Sequence, residues 1–204
     1  SAMSCSTATR PDPSFTALRA RKRPACFPMI ECNEYQALRE RDFGDYSAGH
    51  RRMYEAGLVL LDKSRASVLD VGSGIGWGLK RAIELGFDGT WEGIEPCLDS
   101  FNYLTATYPK NAWHCCSLLD APVDAADFIF CIEVVEHIDR EQLPAFLARI
   151  RSLCRKGAWI STPEIDRDPH GAFTRVEMVA ALKAAGFENV VVNAEQWTTL
   201  YICQ

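Results

Sequence analysis

Hydrophobic and polar positions change character along the chain. Residues 1–30 show no apolar periodicity and contain Pro11, Pro13, Pro24 and Pro28, so they read as an arm with too little apolar surface to order itself. Beyond residue 30 the spacing of apolar positions predicts helices over 34–43 and 47–61, the second bringing Met53, Leu58 and Leu61 together on one side. From residue 67 short apolar runs alternate with amphipathic stretches. The predicted strands are 67–71, 90–94, 112–116, 127–132, 158–161, 189–192 and 198–203, and the predicted helices are 76–85, 98–108, 144–154 and 174–185. Strands alternating with helices specify an α/β fold: a doubly wound, Rossmann-like, mostly parallel seven-stranded sheet covered by helices on both faces. Only the last two strands lack an intervening helix, so a turn at 193–196 should close an antiparallel hairpin at the sheet edge.

Length and composition narrow this picture without changing it. A chain of 204 residues, 48% hydrophobic and 24% charged, suits one globular domain over 31–204 with the arm appended. Ser1-Ala2 ahead of Met3 has the look of a tag-cleavage scar. The longest uncharged apolar run, 56–61, is far shorter than the 18 or so residues of a membrane span, so no membrane partner is expected. Nine cysteines, odd in number and without a C-x-x-C pair, read as reduced thiols and so as a cytoplasmic protein. The net charge is -5, but the first thirty residues hold Arg10, Arg19, Arg21, Lys22 and Arg23 against Asp12 alone. That basic arm leaves a nucleic-acid partner open, and its composition also fits an organelle transit peptide.

The strongest chemical signal is Val68-Leu69-Asp70-Val71-Gly72-Ser73-Gly74-Ile75-Gly76, a buried strand running into a glycine-rich turn and then a helix. Glycine lets backbone N–H groups approach a ligand, and the helix N-terminus adds a positive dipole end. Glu95 follows at the end of the next strand, where an acidic side chain can accept both hydroxyls of a ribose. The G-x-G-x-x-G dinucleotide fingerprint fails in either frame, with Trp77 or Leu79 at the sixth place, and no phosphate-loop motif occurs. These residues resemble the class I S-adenosylmethionine-dependent methyltransferases, whose first motif is D/E-x-G-x-G-x-G. The match is Asp70, Gly72, Gly74 and Gly76, and the likeness runs from about Tyr46 to the end. It implies that Asp70, Gly72, Ser73, Gly74 and Gly76 hold the methionine moiety and that Glu95, followed by Pro96, holds the ribose. Where the family places an aspartate against the adenine amine, this chain has Ser117; Ser117 and Leu118 are the first candidates for that contact and Asp120 the second.

A second motif follows. Residues 127–138 read as a buried strand ending in an acidic, histidine-bearing turn that faces the same crevice as the glycine turn. Glu133, Glu136 and His137 stand at i, i+3 and i+4, which puts them on one face if the segment coils. Their E-x-x-E-H string is similar to that of quinone-biosynthesis-like O-methyltransferases and of small-RNA methyltransferases that use a metal at a 3′-terminal ribose. Two readings follow. In the first, His137 is a general base with Glu133 beside it, Glu133 also touching the cofactor. In the second, Glu133, Glu136, His137 and His170 converge on Mg²⁺ or Mn²⁺. The first is preferred, because His170 sits on a separate loop. His114 reads as a mid-strand residue, whereas His50 and Tyr46 lie on the helix that in the family closes over the cofactor.

Absences narrow the acceptor. No [D/N]-P-P-[YFW] follows Ile132, and Pro96-Cys97 follows the second strand rather than the fourth, which disfavours the adenine-amino and cytosine-C5 classes of nucleic-acid enzyme. The expectation is therefore a methyltransferase acting on an oxygen or nitrogen of a small molecule. The alternatives are a metal-assisted RNA ribose 2′-O-methyltransferase and a catalytically silent cofactor-binding subunit.

Overall fold

The computed structural model describes residues 45–63, 65–164, 173–194 and 199–204, with the side chains of 45–50 and 194 excepted. The elements run α1 (Asp45–Leu58), β1 (Ser67–Val71), α2 (Trp77–Glu84), β2 (Thr90–Ile94), α3 (Leu98–Thr107), β3 (Ala112–His114), β4 (Ala126–Ile132), a 3₁₀ turn (Val135–His137), α4 (Leu143–Leu153), β5 (Cys154–Thr162), α5 (Arg175–Ala184), β6 (Val190–Ala194) and β7 (Thr199–Cys203). The strands form one sheet in the order β3-β2-β1-β4-β5-β7-β6. Pairing is parallel from β3 through to β5, while β7 is antiparallel to both of its neighbours. The strand order reverses between β1 and β4, which is where a doubly wound sheet opens a crevice at its carboxyl edge.

Side-chain alternation along the strands builds a core on each face. On one face Leu69, Val71, Ile129 and Cys131 pack with Leu147 and Ile150 of α4 and Met178 and Leu182 of α5. On the other, Val68, Phe130 and Trp159 pack with Met53, Tyr54 and Leu58 of α1 and Leu79 of α2. Here Phe130 stacks on Trp91 at 5.8 Å and on Trp159 at 5.4 Å between ring centroids.

The doubly wound sheet, its seven strands and its closing hairpin are as the sequence predicts. Among the differences are two strand boundaries and the place of one strand. β5 begins at Cys154, directly from α4, because its first residues include exposed Arg155 and Lys156, which mask the apolar run. Lys156 pairs there with Asp127 at 3.3 Å. β3 ends at His114, after which Cys115 and Cys116 leave the ladder. Finally, the antiparallel strand is not the outermost: β7 is inserted between β5 and β6, with Ile160 opposite Tyr201 and Val192 opposite the same tyrosine. The predicted helix over 34–43 and the arm over 1–30 lie outside the described residues.

Candidate functional site

The glycine turn is shaped by its own hydrogen bonds. Gly72 and Ser73 donate their N–H groups to the Ile94 carbonyl at 2.8 and 3.1 Å, and Gly76 donates to the Ser73 carbonyl at 2.9 Å. The Ser73 hydroxyl donates to the Asp70 carbonyl at 2.8 Å. Gly72 needs its glycine twice over: its φ is +72°, and a Cβ there would fall 2.4 Å from Cγ2 of Val134.

Glu95, 3% exposed, stands at the carboxyl end of β2. One of its oxygens accepts the Gly74 N–H at 2.7 Å and the other accepts the Cys97 N–H at 2.8 Å. The carboxylate is thereby fixed by main chain on both sides and holds the glycine turn to the β2–α3 connection. Beside it opens a cleft of about 870 Å³ including its mouth. Strand ends and the loops after them supply its wall: Val71 and Gly72; Ile94 to Cys97; Ser117 to Leu119; and Glu133, Val134, His137 and Ile138. Gln142 and Phe146 of the α4 region complete it.

Six of the residues predicted to touch the cofactor line this cleft together: Gly72, Glu95, Pro96, Ser117, Leu118 and Glu133. Ser73, Gly74 and Gly76 lie behind the wall and shape it. Asp70 is elsewhere. Alternation sends its side chain to the opposite face of the sheet, where it is fully buried and accepts a hydrogen bond from the Tyr54 hydroxyl at 3.0 Å. Burial pushes its pKa up to about 7; the negative charge of Glu95 adds to this, while the hydrogen bond from Tyr54 opposes it. Ser117 donates its hydroxyl to Asp120 at 3.0 Å, so the two adenine candidates satisfy each other, and Asp120 is not part of the cleft wall.

The acidic turn departs from the expected helical face. Glu133 has a φ of +54°, rare for a residue with a side chain, and only a single 3₁₀ turn follows. Its carboxylate accepts a hydrogen bond from the Ser161 hydroxyl at 2.7 Å, and its N–H donates to the same hydroxyl at 3.0 Å. Glu136 is instead tucked inward, with one oxygen 4.0 Å from His137 Nε2, and it helps to raise the pKa of buried Cys131, for which burial is the main cause. The i, i+3, i+4 spacing therefore does not bring Glu133, Glu136 and His137 to a common centre, because Glu133 sits at positive φ and a single 3₁₀ turn follows in place of an α-helix. Among the described residues no group of three His, Cys, Asp or Glu side chains is placed to hold a metal ion. The fourth expected ligand, His170, lies outside the described residues, as do the side chains of Tyr46 and His50. His114 pairs with Glu92 at 2.6 Å, away from the cleft.

Sequence reasoning missed Ser161, Gln142 and Phe146. Ser161 ends a buried strand beside β4, a position that topology alone reveals. Gln142 and Phe146 open a helix that carries no motif.

A family model described as a methyltransferase domain matches residues 38–177. No curated protein matches the sequence significantly. Among solved structures, the chain is similar to magnesium protoporphyrin IX methyltransferase from Synechocystis with bound S-adenosylmethionine: TM-score 0.67, 12% identity, 85% of this chain and 90% of that one covered. It is also similar to an S-adenosylmethionine-dependent methyltransferase from Archaeoglobus fulgidus, with TM-score 0.65, 16% identity and coverage of 83% and 99%. A third is human N-acetylserotonin methyltransferase, with TM-score 0.65, 15% identity and coverage of 85% and 55%. The glycine turn, the buried Glu95 and the cleft at the sheet's carboxyl edge meet in one fold with these matches: the chain belongs to the methyltransferase-domain family and is a class I S-adenosylmethionine-dependent methyltransferase.

Proposed function

We propose that this chain transfers the methyl group of S-adenosylmethionine to an oxygen or nitrogen of a small-molecule acceptor. The observation behind this reading is the cleft itself, whose wall is apolar apart from a few groups and carries the carboxylates of Glu95 and Glu133. Such a wall suits an uncharged or cationic ligand and repels a phosphate backbone. The similar human and Synechocystis enzymes are named for small molecules, N-acetylserotonin and magnesium protoporphyrin IX.

The residues fit the cofactor. A carboxylate oxygen accepts up to two hydrogen bonds, so Glu95 can take both ribose hydroxyls beside its two main-chain donors. The missing side chain at Gly72 makes room for Val134, and the two stand together in the cleft wall. The bound cofactor supplies an already activated methyl group, so the protein is left chiefly with positioning. Glu133, locked by Ser161, fixes the acidic side of the cleft. His137, with its imidazole partly open to solvent, stands in the cleft wall and would accept the acceptor's proton.

Calorimetry with S-adenosylhomocysteine tests the cofactor site. Glu95→Ala should fold and bind at least tenfold more weakly, since charge-assisted bonds of about 1.5–3 kcal/mol each are lost. Equal affinity in the variant, or preference of the wild type for NAD, would overturn the assignment. Labelled methyl transfer to a panel of hydroxylated and amino small molecules, run beside total RNA, tests the acceptor class; label found only in RNA would refute it.

A further inference from the structure

The chain lacks an aspartate at the end of β3, and the two nearby candidates, Ser117 and Asp120, bond to each other. The cleft wall offers another polar group. Gln142 is the N-cap residue of α4, yet its side chain makes no capping hydrogen bond. Glutamine is not among the residues favoured at that position, where a short oxygen-bearing side chain reaches back to the first-turn N–H groups. Its carboxamide makes no hydrogen bond with another described residue. It is exposed at the cleft mouth and stands in the wall with Leu118, Leu119, Ile138 and Phe146. A largely apolar wall with an exposed carboxamide beside it has the chemistry of a purine site. A primary amide offers an acceptor and a donor side by side, which complements the 6-amino group of adenine and a ring nitrogen next to it.

We infer that Gln142 reads the adenine edge of the cofactor, replacing the acidic residue that the sequence lacks and setting specificity for a 6-aminopurine. This rests on the cofactor reading above. The Gln142 oxygen accepts from the 6-amino group and its NH₂ donates to the ring nitrogen, while Leu118 and Phe146 supply the apolar surroundings. Being exposed at a cap that it does not close, Gln142 can be changed without disturbing the core.

The test is a binding cycle by calorimetry, using S-adenosylhomocysteine and its analogue with purine in place of adenine, which lacks the 6-amino group. Wild-type protein should bind the analogue about three- to tenfold more weakly, the range of one net hydrogen bond. Gln142→Ala should melt at the wild-type temperature, bind S-adenosylhomocysteine about three- to tenfold more weakly, and treat the two ligands alike. Gln142→Asn, with the same amide on a shorter stem, should recover part of the discrimination. If Gln142→Ala keeps the wild-type ratio between the two ligands, Gln142 does not read the base and the inference falls while the cofactor site stands. If wild-type protein binds neither ligand, the cofactor reading fails and this inference fails with it.

Discussion

The two halves of the cleft are built by different means. On the β1–β2 side, Glu95 is held by the N–H groups of Gly74 and Cys97, and the glycine turn by the Ile94 carbonyl. Main chain fixes main chain or a single carboxylate there, so the geometry follows from the fold. On the β4–β5 side, the carboxylate of Glu133 accepts from a side chain, the Ser161 hydroxyl, at a backbone conformation that costs about 1–3 kcal/mol for a residue with a Cβ. The contrast suits the division of labour in a transferase. One side is a frame dictated by topology, and the other is built from side chains that can change without rebuilding the sheet.

The sharpest way to break this contrast is at Gly72, where the halves touch. Gly72→Ala should be the most damaging substitution, combining positive-φ strain with a collision against Val134, about 2–6 kcal/mol together. Thermal melts should show the loss, and Val134→Ala in the same chain should recover the collision's share. No recovery would mean that the halves are not in contact as described.

Asp70→Asn comes next. Because the folded carboxyl titrates near 7 rather than near its ordinary 3.8, the folded state holds the proton more tightly than the unfolded chain. The wild type should therefore lose stability as pH rises from about 4 to about 7 and stay level above that. Asparagine can still accept from Tyr54, and its variant should lack this slope, gaining up to about 4 kcal/mol over wild type at pH 8. Parallel pH profiles from denaturant melts would refute this. The smallest effect is expected from Ser161→Ala, about 1–2 kcal/mol from the lost hydroxyl, measured by the same melts. Its affinity for S-adenosylhomocysteine should change much less than that of Glu95→Ala. A comparable loss would show that the β4–β5 side frames the cofactor as firmly as the other.

How much of this was legible follows the same division. β1 and β2 match their predicted spans, the first stopping at Gly72 and the second at Glu95, and Glu95 was identified by its place at that strand end. Alternation along β1 also encodes the face of Asp70, since it shares parity with Val68, whose partners lie under α1 and α2. What sequence hid depended on contacts between distant segments. The i, i+3, i+4 spacing of Glu133, Glu136 and His137 presumes an α-helix, whereas the hydrogen bonds to Ser161, 28 residues away, accompany a positive φ at Glu133 and a 3₁₀ turn after it. Gln142 was invisible because attention to strand ends passes over the start of a motif-free helix. The insertion of β7 between β5 and β6 left no local trace, since either order of a hairpin buries one strand and exposes the other.

That insertion also has a temporal consequence. Because β7 separates β6 from β5, β6 is made before the strand that joins it to the sheet. On a growing chain the outer edge of β5 stays open until Thr199–Cys203 emerge, and β6, with Val191 exposed, has nothing to pair with. Pairing Ile160 with Tyr201 is among the long-range closures that slow folding, and an unpaired edge invites the wrong partner meanwhile. The sheet is thus completed in its interior only after its other six strands have been made, and the β5–β6 side is the one most exposed to misassembly meanwhile.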